Sequence, residues 1–111
     1  MDAIGRASPE NLAKPTEVVR EVLRSIGTKR GLSPALQQRL LDISEGLTNK
    51  QIAQRHEISV NTVKTQVTDL LGSFALRSRQ EIRGAAEAAT RAAAAGASVS
   101  QLETFLALRF Q

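Results

Sequence analysis

Few side chains of this chain could make or break covalent bonds. The sequence has no Cys and a single His, His56, so neither a thiolate site nor a His cluster can form, and no metal or cofactor is expected. It holds no Gly-rich phosphate loop and no nucleophile placed with a base and an orienting group. Asp42 and Glu45 lie near each other, but an exposed pair at that spacing is expected to be a solvated helix face, and an enzyme is not expected. His56 follows Ile52 by one helical turn and is expected to be a half-buried structural residue near a helix C-terminus. What the chain does offer is hydrogen bonding. At about 100° per residue, Val60, Val63, Val67, Leu70, Leu71 and Phe74 cluster on one side of a helix, and Asn61, Lys64, Thr65, Thr68 and Gly72 fall on the other. The outward face is polar and small and carries one cation. An apolar back with short or flexible donors and acceptors in front is what reading base edges in a DNA major groove requires.

Such a face needs a scaffold, and the sequence divides into three segments that could supply it. Residues 32–83 hold 16 of the 30 apolar side chains larger than Ala. Here Ser33-Pro34 predicts a cap and first-turn Pro, and Leu36, Leu40, Leu41 and Ile43 form a stripe that Gly46 ends. A second helix starts at Thr48 or Asn49 and runs to about His56. Ser59 caps a third over Val60 to about Phe74, and Ser78-x-x-Glu81 reads as a capping box opening a fourth. The expectation is all-α: a four-helix core with an N-terminal helical arm and a C-terminal helical extension.

The arms are read as follows. In residues 1–31, Val18, Val19, Val22, Leu23 and Ile26 take helical spacing, with Thr16 as the N-cap, Gly27 as the stop and Thr28–Gly31 as a basic linker. In residues 84–111, an Ala-rich run extends the fourth helix and could pack against a symmetry mate. After Gly96, Ser100-x-x-Glu103 reads as a capping box for a last helix with Leu102, Phe105, Leu106 and Phe110 on one side. Two of the three aromatic residues sit in this tail, which either closes the small core or forms a dimer or partner surface.

Composition sets outer bounds. The chain has 111 residues, a net charge of +4 and 16 Ala, so its core must be small and aliphatic. No apolar run approaches a membrane span, and the opening MDAIGRASPENLAKP lacks the charged-then-apolar order of a signal peptide. A cytoplasmic protein without membrane contact is expected. The basic balance permits nucleic-acid binding without establishing it.

Four stretches carry more than composition does. They are Leu32-Ser33-Pro34, Glu45-Gly46-Leu47-Thr48-Asn49-Lys50-Gln51-Ile52-Ala53, Ile58-Ser59-Val60-Asn61-Thr62-Val63-Lys64-Thr65 and Arg77-Ser78-Arg79-Gln80-Glu81. In order and spacing, without a gap, the run from Leu32 to about Ala86 resembles the LuxR/GerE-type helix-turn-helix, the DNA-binding domain that also ends many NarL/FixJ-type response regulators. The resemblance implies that Lys64, Thr65 and Thr68 read bases, with Asn61 near the groove entrance. It also implies that Thr48, Asn49, Lys50, Thr62 and Gln66 grip phosphate, and that Arg77, Arg79 and Arg83 lie where the family approaches the backbone. Thr48 and Asn49 would add helix N-terminal amides.

The sequence also departs from that family. His56 stands where Leu is usual, Gln66 where His is common, Gly72 and Ser73 where basic residues occur, and Ala75 where Gly ends the helix. With Asp69 opposing Lys64, the helix 59–74 has no net charge, so modest DNA affinity is expected unless the protein dimerises or Lys29 and Arg30 help.

Two functions follow. The first is a sequence-specific transcriptional regulator that binds double-stranded DNA as a homodimer, inserting the helix 60–74 in the major groove. The second is an adaptor or anti-activator on the same fold, binding a protein partner through residues 98–111 or 16–26. A sigma-factor region 4-like unit shares Ile58-Ser59-Val60-x-Thr62-Val63-Lys64, but Glu45–Lys50 fits the LuxR type better.

Overall fold

The computed structural model describes residues 14–111, and all regular structure among them is helical. The order is α1 (Pro15–Arg30), α2 (Pro34–Ser44), α3 (Asn49–His56), α4 (Val60–Ser73), α5 (Arg79–Ala94) and α6 (Val99–Arg109). Side-chain caps set most of the starts. The hydroxyls of Ser33, Thr48, Ser59 and Ser98 accept from the amides of Leu36, Gln51, Thr62 and Gln101, three residues on in each case. Glu81 opens α5 by accepting from the amides of Arg77 and Ser78.

Three expected boundaries move. Helix α1 begins before Thr16: Lys14 is its N-cap, Pro15 takes the first position, and Glu17 accepts from the Lys14 amide at 3.0 Å. Nor does Gly27 stop it. A Cβ at Gly27 would lie 3.3 Å from Leu32 Cδ1 and 3.4 Å from Gln37 Cγ, so this glycine marks close packing inside the helix. The helix continues through Thr28, Lys29 and Arg30, the expected linker, and ends at Gly31, whose φ of 79° places it in the left-handed region. In the last helix the capping box is Ser98 with Gln101, since the turn after Gly96 is shorter than the Ser100–Glu103 reading required.

Helices α2, α3 and α4 form the centre, with α4 packed on α2 and α3. Helix α5 backs α2, while α1 rests on α2, α5 and α6, and α6 closes on α1 and α5. One buried cluster runs through all of them. It joins Val19, Val22 and Leu23 of α1 to Leu40, Ile43, Ile52, Val63, Leu70 and Ile82 in the centre, and to Leu102, Leu106 and Phe110 at the end. Ala85, Ala86 and Ala89 are buried here too, so the small face of the Ala-rich helix is covered by its own chain. A helix as short as α6, with 11 residues, is marginal alone, and burial of its apolar stripe supplies what propensity cannot.

A charged cluster sits inside this apolar frame. Asp42, expected on a solvated face, is fully buried on α2. Its Oδ2 lies 3.0 Å from His56 Nε2 and 3.3 Å from Arg39 Nε, and its Oδ1 lies 3.5 Å from Arg55 Nη1. Arg39 is also buried, and its Nε and Nη1 have no aligned hydrogen-bond partner among the described residues, so that pairing is Coulombic. Arg55 reaches Glu45 at 3.3 Å, and Glu45 reaches Arg20 of α1 at 3.1 Å. The network ties α1, α2 and α3 together. His56 is half-buried near the end of α3 and serves as a structural partner of Asp42.

Candidate nucleic-acid interface

The interface is built on the turn between α3 and α4. Glu57 takes the left-handed region at φ 55°, and the Ile58 amide returns to Ala53 O at 3.1 Å, closing α3. Ser59 then caps α4, its hydroxyl 3.0 Å from the Thr62 amide and 2.8 Å from the Thr62 hydroxyl. Behind α4, Val63, Val67, Leu70 and Phe74 are buried, with Leu71 half-buried beside them. Val60 departs from the expected inner face and is 38% exposed, because it occupies the first helical position at the edge of the contact with α2 and α3.

In front, Asn61, Lys64, Thr65 and Thr68 are all exposed on one face, and none of their side chains makes a hydrogen bond among the described residues. This leaves an amide, an ammonium and two hydroxyls on a helix locked from behind. Ala75 follows at φ 55°, a conformation that costs a non-glycine residue roughly 1 kcal/mol, and turns the chain from α4 towards α5.

The residues associated with phosphate fall into two groups. Lys50 and Arg77 are exposed, and neither side chain is paired among the described residues. The others have internal partners or are enclosed. Thr48 and Gln51 form a reciprocal capping box at the start of α3, at 3.1 and 2.8 Å. Asn49 Oδ1 accepts from Arg79 Nη1, and Thr62 is held by Ser59. Gln66 is half-buried with its Oε1 enclosed and unpartnered among the described residues.

Arg79 and Arg83 act as struts. Arg79 Nη2 donates to Leu47 O at 2.7 Å, and Arg83 Nη1 donates to Ser44 O at 2.6 Å. The Arg83 guanidinium also lies against Gly46, whose φ is 86°, so the α2–α3 turn is fixed from α5. Both arginines are expected where the family approaches the backbone, and no local pattern marks their contacts with residues thirty or more positions away. A helix-turn-helix with a rigid turn, a cation-bearing polar face and a cap-lined approach to α3 is the resulting arrangement.

The family model for bacterial regulatory proteins of the luxR family, GerE, matches residues 32–85. That segment is a LuxR-family domain. It spans α2 to α4 and the first half of α5, and it contains every residue of the polar face described above. The match supports a DNA-binding, helix-turn-helix regulator kind for this segment. Helix α1, the second half of α5 and all of α6 lie outside the match. No curated protein and no solved structure gives a significant match to the chain. Among the described residues, no helix is long and apolar enough to cross a membrane.

Proposed function

We propose that the chain is a sequence-specific transcription regulator, working in the bacterial cytosol or nucleoid, that seats α4 in the major groove of DNA as a homodimer. The observation that carries this reading is the outer face of α4, where Asn61, Lys64, Thr65 and Thr68 stand exposed and uncommitted on a helix whose back is buried. In this reading Lys64, Thr65 and Thr68 contact base edges, Lys64 favouring guanine acceptors and the threonines supplying hydroxyls and methyl groups, with Asn61 at the groove entrance. Lys50, Arg77, the Thr48–Asn49 end of α3, Thr62 and the amide of Gln66 hold phosphates. Two copies would reach half-sites about one helical turn apart, pairing through the outer face of α5.

The experiment compares wild type and Lys64→Ala on a selected duplex and on random duplex. Specific binding should weaken by about 1–3 kcal/mol while random DNA changes less. Equal losses on both would make Lys64 a phosphate contact and remove it from base reading. Light scattering across the micromolar range should show a dimer, and a monomer throughout would remove that part of the reading.

A further inference from the structure

The electrostatics of the DNA face are thin. Helix α4 carries one cation, Lys64, and one anion, Asp69, and is neutral. Within residues 32–85 there are seven cations, and four of them are committed to the fold: Arg39 and Arg55 to carboxylates, Arg79 to Asn49 and Leu47, Arg83 to Ser44 and Glu87. Lys50, Lys64 and Arg77 remain. Two more, Lys29 and Arg30, stand near the C-terminal end of α4. At the end of α1, Arg30 Cζ lies 4.9 Å above the ring of Phe74, the residue that ends α4, and Arg30 Nη2 donates to Phe110 O at 2.6 Å. Phe110 packs on Phe74 with ring centroids 5.1 Å apart, so the α6 tail holds the α1 cation against the end of α4.

This contact fixes the Arg30 guanidinium while leaving Nε and Nη1 without partners among the described residues. Lys29 beside it is exposed and likewise unpaired. The two border an open cleft with Ile26, Ala107 and Phe110, which contributes no acidic side chain. A pre-positioned guanidinium edge with an adjacent ammonium suits a phosphodiester oxygen pair.

We infer that Lys29 and Arg30 form an accessory clamp on the DNA backbone beside the C-terminal end of α4, supplying from α1 the positive charge that α4 lacks. The inference rests on α4 being the DNA-reading helix. The clamp adds affinity without sequence information, because it touches phosphate alone.

Its test is the salt dependence of binding by the full chain. For Lys29→Gln, the slope of log affinity against log salt should fall by about 0.9, so its deficit relative to wild type shrinks about 3.5-fold between 50 and 200 mM salt. Losses should be equal on the selected duplex and on random DNA. The double variant Lys29→Gln/Arg30→Gln, with folding checked by thermal melt, should lose about twice that slope. If it fails to fold, the single variant still decides, since the exposed Lys29 side chain forms no hydrogen bond or ion pair among the described residues. An unchanged slope in a wild type that binds its site overturns the clamp and leaves the regulator reading standing. Failure of the wild type to bind any duplex removes both. If the variant matches wild type on DNA and loses affinity only for an acidic peptide, the patch docks protein and the inference is overturned.

Discussion

The LuxR-type segment and the two arms that flank it carry similar apolar stripes yet obey different logic. Inside the segment, the stripes of α2 and α4 are buried against one another within a motif whose helices start at local caps. Outside it, the stripes of α1 and α6 look like free interaction surfaces in sequence, yet Val19, Val22, Leu23, Leu102, Leu106 and Phe110 are all buried in the same core. The arms thus extend the small aliphatic core around α2, α3, α4 and α5.

Substitutions can break this comparison in order of expected size. Removing residues 98–111 takes away Leu102, Leu106 and Phe110 together and should abolish cooperative thermal melting, and Leu106→Ala alone should cost about 2–5 kcal/mol in denaturant unfolding. A truncated chain that melts as wild type would return the tail to the role of a partner surface. Asp42→Asn should cost about 3–5 kcal/mol, because it leaves the buried Arg39 uncompensated; a neutral effect would mean that the network linking α1, α2 and α3 contributes nothing.

Smaller effects sharpen the contrast. Ala75→Gly should stabilise by roughly 1 kcal/mol, since Gly relieves the left-handed backbone at φ 55°, and a loss of stability would show that the Ala75 methyl packs usefully. Leu108→Ser should change stability by less than about 0.5 kcal/mol, as Leu108 is 65% exposed two residues from the buried Leu106. A large change there, together with a shift in oligomeric state, would identify Leu108 as an interface residue.

The sequence was most legible where a local rule decides the outcome. Ser33, Thr48 and Ser59 are caps because their oxygens reach amides three residues on, and the two faces of α4 follow from helical period. Ala75 could be placed in the left-handed region because a glycine position of the family fell there. Elsewhere local rules misled. Gly27 has the composition of a stop, but its small size serves contact with Leu32 and Gln37. Asp42 resembles any surface carboxylate until His56 and Arg55, on another helix, are brought to it. Arg79, Arg83 and Arg30 gain their roles from carbonyls and rings distant in the chain, and sequence spacing holds no record of those meetings.

The central claim is that α4 reads a DNA sequence from a core completed by its own arms. The most direct measurement is a binding selection from random duplexes at fixed salt with the full chain and with Lys64→Ala in parallel. The account predicts that wild type enriches a short palindrome whose preference relaxes in Lys64→Ala. No enrichment by the folded wild-type chain, or an identical motif from both proteins, would contradict it.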